Sequence, residues 1–242
     1  NYPNSSYFGI VETTGFEKDS YYLYRSQWNK AETTLHLVTA WDSDNYMNNS
    51  GTTPVWLYSN APVVKLYRDG VHIATATRVD HTSSAGHTYY TYTTESHNSV
   101  CTTSSGSGAD GLYAAFNVAY TAGTLSARAF RSDGTTEIPL TGNSGKNSVT
   151  TPGNVTKLAI SQNRTTAPAD EASLIYVEVD VVDANGNLDT TATNNITFTV
   201  EGPGVIVGVD NGDQNTVRKY QNSYVKTSDT TANINAYAGK AL

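Results

Sequence analysis

The chain has a single cysteine in 242 residues, Cys101, so no internal disulfide can form. With no Cys-x-x-Cys spacing around it, a zinc site built on thiolates is not indicated, and in a polar Ser/Thr-rich stretch Cys101 reads as an incidental thiol. Charge is sparse as well: 15% of residues are charged and the formal balance is −7. Lys and Arg never run more than two in a row, so a phosphate backbone would be repelled and nucleic acid is excluded as a partner. No stretch of eighteen apolar residues exists to span a membrane as a helix, and residues 1–20 lack the basic start and apolar core of a signal peptide. Gly-x-Ser-x-Gly and Gly-rich phosphate loops are missing, which leaves serine hydrolase and nucleotide chemistry without support.

What is abundant is Tyr (17), Gly (19), Thr, Ser and Asn, a mixture suited to many short strands joined by polar turns. Residues 55–70, VWLYSNAPVVKLYRDG, organise the chain. Val55, Leu57 and Ser59 alternate with Trp56, Tyr58 and Asn60, and a second strand through Val63 and Leu66 runs into Asp69-Gly70. This predicts two strands paired as a hairpin about an Asn60-Ala61-Pro62 corner, closed by an Asp-Gly turn. A helix is predicted only over residues 19–28, capped by Asp19, with Tyr21, Tyr24 and Trp28 forming an aromatic stripe at i, i+3 and i+7. Ten residues are marginal as an isolated helix, so the stripe is expected to pack on the first sandwich or on another copy.

Further strands are predicted over 35–41 and 71–79, in the Tyr/Thr run around Tyr89, Tyr90 and Tyr92, and as two strands in 111–130. The Ser/Gly-rich part of 81–110 is expected to be mobile. Residues 141–153 read as a linker, with a boundary near Thr151-Pro152. Beyond it, strands are predicted at 155–161, 175–182 (Ile175, Val177, Val179 and Val181 on one face, Glu178 and Asp180 on the other), 196–200 and 205–209.

Several segments resemble one family. Residues 54–61 (PVWLYSNA) with the valine-rich strand and the Arg68-Asp69-Gly70 turn are similar to the domain after the catalytic barrel in family 2 glycoside hydrolases of the bacterial β-galactosidase type. Residues 5–28 resemble the family's passage from the last barrel strand into its final helix, with Glu17 where proline is usual. The order L-Y…V-A-Y-x-x-G-T-L-x-A-x-A in 112–129 looks like the end of that domain, with Phe116 in place of tryptophan and both usual prolines missing. V-E-V-x-V-V-D-A-N-G-N (177–187), T-F-x-V-E-G-P-G (197–204) and G-V-D-N-G-D-Q (208–214) resemble the immunoglobulin-like domain that follows.

The resemblance implies an all-β chain of two immunoglobulin-like antiparallel β-sandwiches with one short N-terminal helix left from the end of a catalytic barrel. The expected division is 1–30 barrel exit, 31–151 first sandwich and 152–242 second sandwich, the last lacking its closing strands and hence bearing an open edge. It further implies a parent enzyme that hydrolyses terminal β-D-galactosyl residues with retention, at the surface or outside of a bacterial cell. Its two catalytic glutamates would lie on barrel strands upstream of Asn1, so this chain alone is expected to be inactive and no residue here is assigned a catalytic role.

Glycoside hydrolysis needs two carboxyl groups flanking one bond. The acids here instead fall in turn sequences (Asp69, Asp110, Asp133, Asp183, Asp210, Asp213) or on predicted solvent faces (Glu178, Asp180). The five histidines (His36, His72, His81, His87, His97) show no ligand spacing, and Asp183-x-Asn185-x-Asn187 lacks the glutamate of a calcium loop at position twelve, where Asn194 stands, so no metal or cofactor is expected. For sugar stacking the candidates are Trp41, Trp56, Tyr89, Tyr90 and Tyr92; the tryptophans read more readily as sandwich core, and the three tyrosines are the more open case. Expected partners are the parent's barrel, a galactose-containing glycan, and a second copy meeting Tyr21, Tyr24 and Trp28 or the second domain's open edge. A stand-alone carbohydrate-binding module and a structural or adhesive immunoglobulin-like pair remain as alternatives.

Overall fold

A computed structural model describes residues 8–12, 14–103, 111–216, 226–228 and 230–242. The Ser/Gly-rich stretch 104–110, with Asp110, lies outside the described residues. The chain divides into two compact units, Glu17–Thr151 on the one hand and Asn1–Phe16 with Pro152–Leu242 on the other. Among the described residues both are all-β apart from one α-helix and a single 3-10 turn at Asp44–Tyr46.

The Glu17–Thr151 unit holds α1 (Asp19–Trp28), β1 (Leu35–Val38), β2 (Thr52–Ser59), β3 (Val63–Arg68), β4 (Val71–Thr82), β5 (Thr88–Ser96), β6 (Cys101–Thr103), β7 (Ala114–Ala119), β8 (Thr124–Phe130) and β9 (Ser148–Thr150). They form two antiparallel sheets in the orders β1-β2-β7-β6 and β5-β4-β3-β8-β9. Between the sheets lie Leu35, Leu37, Trp41, Val55, Leu57, Leu66, Ile73, Phe116, Val118 and Leu125, all buried.

The expected hairpin over 55–70 is corrected by this topology. β2 and β3 belong to different sheets, so Asn60-Ala61-Pro62 is a crossover between sheets. Both strands turn alternate residues toward the same core, and such alternation looks the same along a chain whether the strands pair or face one another. The amide of Asn60 holds the corner: Nδ2 donates to the carbonyls of Asn29 (3.0 Å) and Glu32 (2.9 Å), while Oδ1 accepts from Thr34 N (2.9 Å). The Tyr92 hydroxyl donates to Ala61 O at 2.7 Å from the opposite sheet. The true hairpin is β3–β4, where Asp69 (φ 49°) and Gly70 (φ 80°) take the two left-handed positions of a type I′ turn.

Helix α1 has the expected bounds and a different start. Lys18 occupies the cap position without a side-chain bond, and Asp19 instead meets His36 Nε2 at 2.8 Å. The face that docks is not the Tyr21-Tyr24-Trp28 stripe. Ser26 and Arg25 are buried, and Arg25 donates to Thr34 Oγ1 and to Glu32 (both 2.5 Å). Tyr22 stacks on the His36 ring at 4.0 Å. Gln27 donates to the carbonyls of Tyr90 (3.2 Å) and Leu112 (3.3 Å) and accepts from Tyr90 N (3.1 Å), so one side-chain amide fills the place of a neighbouring strand along the edge of β5. Tyr24 (43% exposed) and Trp28 (74%) rest on each other at 5.0 Å and face outward. A polar anchor of Arg, Ser and Gln therefore sets the roll of the helix where the aromatic period predicted an apolar one.

The second unit holds β10 (Val155–Gln162), β11 (Val177–Asp183), β12 (Asn195–Thr199), β13 (Lys226–Ser228), β14 (Thr231–Asn235) and β15 (Lys240–Ala241), in antiparallel sheets ordered β10-β11-β15 and β12-β14-β13. Its core comprises Val179, Val181, Ile196, Ile206, Val209, Ala232, Ile234, Ala236 and Ala241. Ile175 precedes β11 and is exposed, so the strand begins two residues later than its valine pattern predicts. In residues 205–209 Ile206 and Val209 are inside while Val205, Val207 and Gly208 are outside, a spacing of three where the predicted strand needs two, and no strand forms. Ala238 (φ 50°) and Gly239 (φ 76°) reverse the chain so that β15 returns to β11, with Ala241 opposite Val179.

Candidate functional site

Chemistry in this chain would have to come from its acids, its histidines or its exposed aromatic rings. Most of the acids named above serve local backbone. Asp133 accepts from the amides of Thr135 and Thr136 (both 2.8 Å) and from the Thr136 hydroxyl (2.6 Å), bonds that hold its carboxyl well below the usual range. Asp183 accepts from Gly153 N (2.9 Å), Asn187 Nδ2 (2.9 Å), Asn187 N (2.9 Å) and Asn185 N (2.8 Å), with the same consequence. Its carboxylate oxygens are thus occupied by N–H donors, which is the geometry of a turn and not of a cation loop. Asp69 accepts from Thr124 N, Asp189 from Thr191 N, Asp210 from Asn211 N and Asp213 from Asn215 N.

Glu178 and Asp180 depart from the solvent-facing role expected of them. Two residues apart on β11, they share a face and both receive the ammonium of Lys240 on β15, Asp180 at 2.8 Å. Burial works against the lysine's charge, and bonds to Asp180 and Glu178 outweigh it, so its pKa is raised. An ammonium fills the space between the two carboxylates where a glycosidic oxygen would need to enter. Among the described residues no group of three or more His, Cys, Asp or Glu side chains is placed to hold a metal ion.

The histidines are similarly engaged. His36 Nδ1 accepts from Lys146 N (3.0 Å), which puts its proton on Nε2 toward Asp19. His72 and His97 approach to 4.5 Å between ring centres, and the Nε2 atom of each meets Thr75 Oγ1 (3.0 and 2.7 Å). The pKa of His72 is lowered, first by burial and then by His97.

The aromatic candidates divide. Trp41 is wholly buried against Tyr120, and Tyr92 is buried with its hydroxyl engaged at Ala61, so neither offers a ring face. Burial also lifts the Tyr92 pKa well above the ordinary range. Tyr90 is buried too, with the Arg78 guanidinium 4.4 Å above its ring. Alternation along β5 turns Tyr89 (38% exposed) to the other side, where it stacks on His81 at 5.0 Å. Of the five, only Trp56 (38% exposed) and Tyr89 present ring surface.

Trp56 ends a row of rings along the outer face of the four-stranded sheet. Register puts Trp56 opposite Val38 and Ala115, and Tyr58 opposite His36. Tyr113, just before β7, lies 5.5 Å from Trp56 and 5.1 Å from Tyr58, and the row continues through His36 to Tyr22 of α1. Burial, with the nearby Tyr113 and Asp19, pushes the Tyr58 hydroxyl up to about 12. Tyr113 lies in a bend just ahead of β7, where no alternation marks it as a neighbour of Trp56. Nothing in the local pattern signals the Gln27 anchor or the Lys240 pair with Glu178 and Asp180 either.

The C-terminal unit matches a family profile described as glycoside hydrolase family 2 C-terminal domain 5 over residues 158–241, and residues 50–137 match a domain of unknown function. A β-galactosidase of Bacteroides ovatus, BoGH2A, is 29% identical over 239 residues, which cover 98% of this chain and 22% of that protein. These matches fit a C-terminal region of a glycoside hydrolase family 2 enzyme. The chain spans about a fifth to a quarter of the length of the relatives it matches. The fold is shared with a β-glycosidase from Bacteroides vulgatus (TM-score 0.70, 22% identity, 99% of this chain and 24% of that one). It is also shared with a family 2 β-glucuronidase (TM-score 0.57, 20% identity, 96% of this chain and 20% of that one).

Proposed function

We propose that this chain is the non-catalytic accessory part of a family 2 enzyme that hydrolyses terminal β-D-galactosyl residues, and that it supports a catalytic barrel or its active-site rim. The observation that carries this reading is the use of the carboxylates among the described residues: the turn acids accept backbone amides, and Glu178 and Asp180, which come close together, are bridged by the Lys240 ammonium, so neither is free to act as acid or nucleophile across a glycosidic bond. The outward face of α1, with Trp28 and Tyr24, offers apolar surface for the barrel to cover. The β-galactosidase name of the Bacteroides ovatus relative favours galactosides; the β-glucuronidase among the solved folds makes glucuronides the comparison substrate.

The chain is expected to release no nitrophenol from aryl β-D-galactosides or β-D-glucuronides. In the longer enzyme, Trp28→Asp with Tyr24→Asp should lower both the melting temperature and turnover on the galactoside. Hydrolysis by the chain that persists through repurification, or an unchanged melting temperature in the double variant, would overturn the proposal. A second reading, glycan contact at Trp56 and Tyr113, is favoured by the part-exposed indole with a second ring beside it. Galactosides should then shift tryptophan emission in a Trp28→Phe background and fail to do so once Trp56 is replaced by Ala.

A further inference from the structure

In the second unit β10 is the margin of its sheet, and its face toward the core lies open. The sheet runs β10-β11-β15, so one side of β10 has no neighbouring strand among the described residues. Register pairs Leu158 with Val181 and Ile160 with Val179, and residues opposite each other in a ladder share a face. Val179 and Val181 are core, 3% and 0% exposed, whereas Leu158 is 45% and Ile160 68% exposed. The facing sheet therefore covers β11 and stops short of β10. The backbone follows the same register. Asn163 N donates to Tyr176 O at 3.1 Å, in step with the pairs Ser161–Glu178 and Ala159–Asp180, so these odd-numbered residues bond inward to β11. The N–H and C=O groups of Leu158 and Ile160 then point to the free side.

An occupant of this place has to pair those groups and cover two aliphatic side chains at once, which an extended strand with apolar residues at alternate positions does. β10 is itself such a strand. Residues 158–162, LAISQ, contain no charge and no proline, the usual devices that protect an edge. About a two-fold axis through Ala159, the β10 strand of a second copy runs antiparallel and sets Leu158 against Ile160 of that copy, both with outward-pointing groups. All four aliphatic side chains then gather on the core side. The same register puts Lys157 of the second copy opposite Ser161, whose neighbour on β11 is Glu178. Glu178 and Asp180 share one ammonium, that of Lys240, so this face keeps one negative charge unbalanced. Lys157 is exposed, with its ammonium at Ala184 O (2.9 Å), and a copy of it supplies the complement.

We propose that β10 is a strand-pairing interface for a second copy of this chain, joining the two copies' sheets into one through an antiparallel contact centred on Ala159. This goes beyond the accessory role and does not depend on it.

The test is sedimentation equilibrium of the whole chain, whose mean mass should climb from that of one chain toward that of two between about 10 µM and about 1 mM. Ile160→Pro removes an N–H that faces the free side, leaves the ladder to β11 in place and keeps an apolar side chain. It should weaken association at least about tenfold, which a merely sticky patch would not do. Lys157→Glu should weaken it about tenfold as well. Trp28→Asp with Tyr24→Asp should leave it unchanged, because that aromatic surface takes no part. If Ile160→Pro costs the second unit its thermal transition, amide exchange in the unaltered chain decides. The Leu158 and Ile160 amides should exchange at least about fivefold more slowly at the high concentration than at the low one, while amides of β4 in the first unit stay the same. A chain that remains monomeric throughout, association that survives Ile160→Pro in folded protein or is untouched by Lys157→Glu, its loss in the α1 double variant, or equal exchange at both concentrations would each overturn the proposal.

Discussion

Thr53 lies on β2 opposite Val118, 1% exposed, and its Oγ1 is buried with no hydrogen-bond partner. A hydroxyl that leaves water without a new partner costs about 1–3 kcal/mol. Thr53→Val replaces that oxygen with a methyl of nearly the same size and keeps the β-branching that suits a strand. The folded state should gain about 1–2 kcal/mol, part from the relieved hydroxyl and part from a methyl packed in the sheet interface. A unit of this size should respond with a rise in thermal midpoint of roughly 3–8 °C. Differential scanning calorimetry of the whole chain reads this directly, in the transition that belongs to the first unit. Thr53→Ser is the contrasting variant: it keeps the hydroxyl and deletes the methyl, and should cost about 1 kcal/mol. If Val at this position lowers the midpoint or leaves it unmoved, the hydroxyl has a bonding partner after all and the reasoning fails.

Asn60→Ala should destabilise the first unit by about 2–4 kcal/mol in urea unfolding, because it strips three hydrogen bonds from the inter-sheet corner and leaves the buried Thr34 amide unpaired. For Asp183, a folded pKa below its ordinary value means that stability is present in full above about pH 4 and lost as pH falls through the folded value. Chemical unfolding of the second unit between pH 6 and pH 2 should therefore weaken less steeply in Asp183→Asn than in wild type, and parallel slopes would refute that assignment. Cys101 is buried on β6 rather than in a polar loop, and burial pushes its thiol up to about 11, so a disulfide reagent at pH 8 should modify it only when denaturant is added.

The parts of the fold that could be read from sequence were those fixed by neighbours along the chain. Residues 19–28 form a helix with the predicted bounds, and Asp69-Gly70 makes the predicted turn, because backbone preference and a few adjacent side chains decide both. What could not be read was which partner a strand would choose. β2 and β3 carry the alternation of paired strands but sit in facing sheets, a choice made by Asn60 reaching back to residues 29–34. Residues 205–209 are valine-rich like a strand but form none, since the residues they bury, Ile206 and Val209, are three apart and do not keep the period of two that a strand needs. The candidate site shows the same limit. Tyr89 and Trp56 keep exposed ring area while Tyr90, Tyr92 and Trp41 are covered. Alternation separates Tyr89 from Tyr90 and Tyr92 but does not say which side is wet. Lys240 was invisible as a partner of Glu178 and Asp180, for sixty residues of chain separate them.

The Gln27 amide has a consequence for solution behaviour. At Tyr90 the N–H and C=O groups of the β5 margin are both taken by a side chain, and so offer no template to a passing molecule. When α1 swings away, Tyr90 presents both groups at once, and intermolecular strand addition becomes available along β5. Helix undocking and the onset of self-assembly should thus share one concentration-dependent threshold, which makes this short helix a guard against aggregation as well as an element of the fold.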